Sequence, residues 1–297
     1  MPSGCSVSKD PELDFTEKTA AAAVVASFTN TPDDRLKDLL SALVTHLHSF
    51  VRETRLSVDE WQTAMDFLTE VGQTCDETRQ EFVLLSDVLG VSMLVETLNG
   101  QQLGTESTVL GPFHMTESPS RENGDSIDLM GGEVPCVVTG RVIDQFGTAL
   151  PDATVDVWQC TEDGFYDVQQ PDLQPAGNGR GLFRAEPDGS FWFRTVVPSH
   201  YPIPTDGPVG RLLNATRRHA FRPAHIHFIA DAPGHTQLTT HIFVADGEYL
   251  DGDAVFAVKR SLVIDFERVD DDEIAANFGV TAPFRRAKID LVLEVAS

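Results

Sequence analysis

The segment Arg222-Pro223-Ala224-His225-Ile226-His227-Phe228-Ile229 brings two imidazoles, a fixed positive charge and a strand-forming apolar run together. In an extended strand successive side chains alternate between faces, so His225 and His227 share one face while Ile226 and Phe228 share the other. Two imidazoles on one face of a rigid strand can grip a metal. The same spacing arises in any strand with a polar face, so the pair alone does not settle the chemistry.

Working outward from this segment, short strand patterns recur near residues 155–158, 190–197, 224–230, 238–245, 262–268 and 288–295. The turn dipeptides Asp188-Gly189, Asp246-Gly247 and Asp251-Gly252 punctuate them. Cys136, Val138, Gly140 and Val142 alternate with Val137, Thr139 and Arg141, and Asp144-Gln145-Phe146-Gly147 reads as the turn that follows. Many short strands with turn signals and little helix predict a sandwich or barrel.

Upstream the period changes. Residues 116–132 hold Pro119, Gly124, Gly131 and Gly132 among polar residues and read as a loop between two architectures. Before it, Thr31-Pro32-Asp33-Asp34 reads as an N-cap, a proline at the first helical position and two acids on the positive dipole end. Leu36, Leu39, Leu40, Leu43, Leu47 and Val51 then follow at helical spacing. Ser57-Val58-Asp59-Glu60 is a capping box that opens a second helix through Trp61, Met65, Leu68 and Val71, ending before Gly72. A third helix starts near Asp76 and runs through Phe82, Leu85, Leu89 and Met93 to Asn99-Gly100. The expected class is α+β: a helical domain over residues 1–115, then an all-β domain over residues 116–297. Residues 1–12 read as a tail.

The chain has three tyrosines, and two lie in turn-rich stretches beside strands: Tyr166 in Asp163-Gly164-Phe165-Tyr166-Asp167, and Tyr201 in Pro198-Ser199-His200-Tyr201-Pro202-Ile203-Pro204. Two imidazoles and two phenolates form a donor set with a preference, because hard anionic oxygen favours a hard, highly charged ion such as Fe(III). The four cysteines, Cys5, Cys75, Cys136 and Cys160, lack the spacing of a zinc ribbon or an iron-sulfur cluster.

Taken in order, several motifs resemble the intradiol ring-cleaving dioxygenases, non-haem Fe(III) enzymes that open catechols between the two hydroxylated carbons. The likeness runs through residues 84–92, Val109-Leu110-Gly111-Pro112-Phe113, Asp156-Val157-Trp158-Gln159, Gly164-Phe165-Tyr166, Tyr201-Pro202-Ile203-Pro204-Thr205-Asp206-Gly207-Pro208, Arg222-Pro223-Ala224-His225-Ile226-His227 and Leu238-Thr239-Thr240-His241. The resemblance implies a β-sandwich in which Tyr166, Tyr201, His225 and His227 hold one Fe(3+) per subunit. Hydroxide or water takes a fifth position, and Tyr201 is the ligand that substrate displaces. It assigns Arg222 to the negative charge that develops on a substrate carbon, an apt place for a fixed cation.

The same resemblance places Leu84, Asp87, Val109, Leu110, Gly111, Pro112, Phe113, Ile203, Pro204, Thr205 and His241 around the substrate. His241 stands where catechol-cleaving relatives often carry Gln, and His114 where an aromatic is expected. The Asp87 helix, with Tyr201-Pro202-Ile203-Pro204-Thr205-Asp206-Gly207-Pro208 and the following Val209-Gly210, is most similar to family members that act on benzene-1,2,4-triol (hydroxyquinol) and yield 3-hydroxymuconate, the tautomer of maleylacetate, and a carboxylate at Asp87 can accept a hydrogen bond from a third hydroxyl. Catechol or chlorocatechol cleavage is the alternative within the family. A non-catalytic β-sandwich binding module is the alternative of another class. The helical region is expected to form a homodimer contact and to enclose a phospholipid between subunits, although packing within one chain explains its amphipathic faces equally well.

Composition is consistent with these expectations. A chain of 297 residues with 41% hydrophobic content can bury one large core or two ordinary ones. The formal charge of -24 opposes nucleic acid and anionic membrane as partners. No apolar run approaches the roughly 18 to 20 residues that span a bilayer. The alanine-rich run at residues 20–26 follows Glu12, Asp14 and Glu17 where a secretory signal has a basic leader. A cytoplasmic address with free thiols is expected.

Overall fold

Three helices, α1 (Ala20–Ser27), α2 (Asp34–Thr54) and α3 (Val58–Thr74), begin the computed structural model, which describes residues 15–76, 79–111, 113–114 and 118–296. The chain divides into two compact units, Met1–Thr69 and Glu70–Ser297. In the first unit α2 starts two residues later than its sequence suggests. Asp33, not Thr31, is the N-cap, and its carboxylate accepts the Leu36 amide at 3.1 Å. An aspartate that reaches the third free amide of the helix satisfies a donor that would otherwise lack a partner. The capping box at Ser57 forms as expected: the Ser57 amide donates to Glu60 Oε2 at 2.8 Å, and the Glu60 amide donates to Ser57 Oγ at 3.2 Å.

The second unit begins within α3 at Glu70 and continues with α4 (Glu81–Val88) and α5 (Val91–Asn99), two helices where one was expected. Gly90 separates them with φ +73, a left-handed conformation that suits glycine and turns the chain. The tail at residues 1–12 lies outside the described residues.

Eleven strands follow among the described residues: β1 (Pro135–Asp144), β2 (Thr154–Trp158), β3 (Arg180–Arg184), β4 (Ser190–Val196), β5 (Tyr201–Pro202), β6 (Phe221–Arg222), β7 (His225–Asp231), β8 (Leu238–Val244), β9 (Val263–Ile264), β10 (Glu267–Val269) and β11 (Phe284–Leu293). One sheet has the order β10-β11-β1-β4 and a second the order β3-β2-β7-β8-β9. A short ribbon pairs β5 with β6. The inner faces of the two large sheets share one core, with Val138, Val142, Phe191, Phe193 and Leu291 from the first and Val155, Val157, Ile226, Phe228 and Ile242 from the second. Each such side chain contributes about 1.5–3 kcal/mol by leaving water. The alternation in β7 thus seats Ile226 and Phe228 in the sandwich core and turns His225 and His227 to the opposite face.

Two helices interrupt the strands, α6 (Pro208–Ala215) and α7 (Asp272–Phe278). Pro208 opens α6, where its missing amide costs nothing. The Val209 amide donates to the buried Glu81 carboxylate at 3.1 Å, which ties α6 to α4 through the positive end of its dipole. Asp271 caps α7, and Gly279 ends it at φ +65. The helix covers the outer face of β1, and Val137 is buried there with Val269, Ala275 and Phe284.

Candidate metal centre and active site

Strand pairing builds the centre. In β7, His227 lies opposite Trp158 of β2 on one side and His241 of β8 on the other, while His225 lies opposite Phe243. Cross-strand neighbours on one face are in contact. The His227 ring stacks on Trp158 at 4.5 Å with 13° between planes and meets His241 at 4.1 Å. Tyr166 arrives from the turn after Gly164, and Tyr201 from β5.

Four buried donor atoms close a ring. His225 Nε2 lies 3.1 Å from His227 Nε2, which lies 3.1 Å from Tyr166 Oη. Tyr166 Oη lies 3.4 Å from Tyr201 Oη, which lies 3.5 Å from His225 Nε2. Ligands about 2 Å from a shared first-row ion stand about 3 to 3.5 Å apart at ordinary bond angles, so the ring has the dimensions of a coordination shell. His225 Nδ1 lies 2.6 Å from the Pro223 carbonyl, which can only accept, so Nδ1 carries the proton and Nε2 offers its lone pair to the ring.

Electrostatics agree with this reading. Burial, reinforced by the neighbouring phenol of Tyr201, holds the Tyr166 hydroxyl well above the ordinary tyrosine range. Burial also raises Tyr201, against the pull of Arg222. His225, His227 and His241 are pushed well below the usual histidine value, first by burial and then by neighbouring positive groups. The imidazoles are therefore neutral, as ligands must be, and the phenols give up their protons only to a strong cation. A looser triad of His225, His227 and His241 has ligand atoms within 4.8 Å of one another. The donors of the ring with two phenols are closer, at 3.1–3.5 Å, and two phenolates could offset a trivalent charge. His241 Nδ1 is engaged by Thr108 Oγ1.

Arg222 adjoins the ring. Its strand β6 pairs with β5 so that Arg222 faces Tyr201, and Nη1 donates to Tyr201 Oη at 3.4 Å. Residues 110–294 match the family described as Dioxygenase, and residues 33–105 match the Catechol dioxygenase N terminus. A hydroxyquinol 1,2-dioxygenase from Rhizobium sp. (strain MTP-10005) is 48% identical over 267 residues, covering 89% of this chain and 90% of the relative. The chain belongs to the intradiol ring-cleavage dioxygenases. A 6-chlorohydroxyquinol 1,2-dioxygenase from Cupriavidus pinatubonensis is 46% identical, covering 89% of this chain and 96% of the relative. The crystal structure of hydroxyquinol 1,2-dioxygenase from Pseudomonas putida DLL-E4 superposes with a TM-score of 0.88 at 46% identity, over 94% of this chain and 99% of that one.

In this intradiol dioxygenase the other sequence-predicted residues are distributed unevenly. Leu84, Val109 and Ile203 join one buried cluster with Phe243, Val255 and Leu262. Asp87 is buried, and Phe113 stacks on Tyr166 at 4.6 Å. Gly111 has φ +78, and a Cβ there would stand 3.0 Å from His227 Cε1, so its backbone approaches the ring as only glycine allows. Leu110 and Thr205 are exposed, Pro204 is half-buried, and Pro112 lies outside the described residues. His114 packs edge-on against Trp158 at 4.7 Å and lies 3.5 Å from Asp156.

Sequence reasoning missed four contributors. Asp253 meets Arg222 Nε at 3.3 Å, Thr108 holds His241, and Trp158 backs His227. Arg180 pairs with Asp167, the residue after Tyr166, at 2.7 Å. Trp158 stood in a quoted motif without a role, and Asp253 adjoined a dipeptide that read only as a turn. One surface cleft of about 500 Å³ runs from Arg217 past Asp253 to Val258, and none of the four ring donors lines it.

Proposed function

We propose that Tyr166, Tyr201, His225 and His227 hold one Fe(III) and that the enzyme cleaves benzene-1,2,4-triol with O2 between its adjacent hydroxylated carbons, giving 3-hydroxymuconate and its tautomer maleylacetate. The observation that carries the reading is the closed ring of two phenol oxygens and two imidazole nitrogens at 3.1–3.5 Å, all on buried side chains. Bound Fe(III) supplies the Lewis acidity and electron acceptance that make a catecholate carbon reactive towards O2.

The protein's own groups bind, orient and move protons. Tyr201 would be the donor that a second substrate oxygen replaces. Burial keeps its pKa high, so its free phenolate would take the proton that the substrate hydroxyl gives up, while Arg222 Nη1 donates to its oxygen. Arg222 Nη2, buried and without a hydrogen-bond partner among the described residues, faces the carbon that gains negative charge. Burial raises the Asp87 carboxyl, and that group accepts the hydroxyl that distinguishes a triol from a diol.

Relatives named for hydroxyquinol are 46–49% identical to this chain, whereas a catechol 1,2-dioxygenase from Candida albicans is 39% identical. Oxygen uptake on benzene-1,2,4-triol, catechol and a chlorocatechol tests the preference. The triol is expected to exceed catechol in kcat/KM by at least about tenfold, because a buried polar partner discriminates against a substrate that lacks its mate. Equal rates, or faster catechol cleavage, overturn the choice of substrate. A colourless protein that neither retains iron nor consumes oxygen after ferric loading returns the chain to the binding-module reading.

The same reading extends to assembly and address. A second copy covers the apolar face of α2, with a phospholipid between subunits. The free thiols Cys75, Cys136 and Cys160 suit a reducing cytoplasm. Among the described residues no helix is long and apolar enough to cross a membrane.

A further inference from the structure

We infer that Asp253 is a positioning residue for the reaction: it fixes the plane of the Arg222 guanidinium so that one edge addresses the substrate. The inference rests on the role proposed for Arg222. Nε of Arg222 meets Asp253 Oδ1 at 3.3 Å and Nη1 meets Tyr201 Oη at 3.4 Å. Nη2 has no hydrogen-bond partner among the described residues, and the Arg222 and Asp253 side chains are both 1% exposed. A guanidinium is rigid and planar, so fixing Nε and Nη1 fixes the direction of Nη2.

Asp253 is itself held. Its Oδ1 accepts the Val255 amide at 3.2 Å and its Oδ2 accepts the Ala257 amide at 3.0 Å. The loop that carries it is fastened by Arg218, which donates to the Val88 carbonyl at 2.6 Å and the Ala254 carbonyl at 3.0 Å and lies 5.0 Å over the Phe256 ring. A carboxylate gripped by two amides of a pinned loop does not swing to follow its partner. The arginine conforms to the aspartate, and a buried cation with an immobile counter-charge keeps one orientation while a substrate carbon beside it changes charge.

Loop capping by Asp253 alone would give the same arrangement, and a double-mutant cycle separates the two roles. Wild type, Asp253→Asn, Arg222→Ala and the double variant are loaded with iron and assayed on benzene-1,2,4-triol, with iron content, visible absorption and melting temperature recorded for each. Asp253→Asn is expected to lower kcat about 10- to 100-fold with little change in KM or iron content, and to lower it less than about twofold when Arg222 is already alanine. An equal loss in both backgrounds, or no loss in the first, overturns the inference. If Asp253→Asn does not fold, Asp253→Glu, which keeps the charge but moves it by one methylene, is taken through the same cycle with the same criteria. Wild type inactive on every diol and triol defeats the proposed function; an active wild type with an additive cycle defeats only this inference.

Discussion

His227 shows how much one side chain depends on its neighbours. Its ring is flanked by Trp158 and His241, approached by the Gly111 backbone and aimed at Tyr166 Oη. The sequence marked His225 and His227 as candidate ligands because period-two alternation places them on one face. It left their partners to resemblance, since Tyr166 and Tyr201 come from loops whose course no local pattern specifies. The buried imidazoles predict a pH response. Because His225, His227 and His241 have pKa values well below the ordinary 6.5, the unfolded chain binds more protons than the folded one between the two values. Stability of the metal-free protein therefore rises with pH up to about 6.5 and is lost as pH falls below it. Melting temperatures of the metal-free protein are expected to be lower at about pH 5.5 than at about pH 7.5; a flat or inverted trend contradicts the assigned protonation states.

At the scale of elements, local signals succeeded where they matched local physics. The capping box at Ser57 formed, whereas the start of α2 moved to Asp33 because its carboxylate reaches the Leu36 amide. Gly90 divides the expected third helix, and the structure makes it the junction of α4 and α5. The turn that carries Tyr166 is held by a pair no pattern announced. Asp167 accepts Arg180 Nε at 2.9 Å and the Gly177 amide at 2.9 Å, and β3 delivers Arg180 from across the sheet. Replacing Arg180 with Met leaves Asp167 buried without its counter-charge, at an expected cost of about 3–5 kcal/mol. Denaturant unfolding of the metal-free protein measures it. A loss below about 1 kcal/mol means the turn stands without the pair.

For the whole molecule, five apolar residues of α2 at helical spacing, Leu36, Leu39, Leu43, Leu47 and Val51, are exposed among the described residues. Their exposures run from 44% at Val51 to 53% at Leu43, Leu40 is half-buried, and α2 has no buried residue. An apolar stripe of that length in water favours association. Light scattering after chromatography at micromolar concentration is expected to give twice the monomer mass, and Leu43→Lys is expected to shift it towards monomer. A monomeric wild type removes the dimer. The sequence by itself determined the division into a helical region and a β region, the faces of β7 and the N-terminal cap of α3, because these follow from the periods and short-range bonds of the chain. It also held the ordered motifs from which membership of the dioxygenase family follows. Only the tertiary structure decided that Trp158 and His241 flank His227, that α7 buries the outer face of β1, and that Asp253 faces Arg222. Those contacts join residues distant in sequence through sheet register and loop path, which are set by the packing of the whole fold.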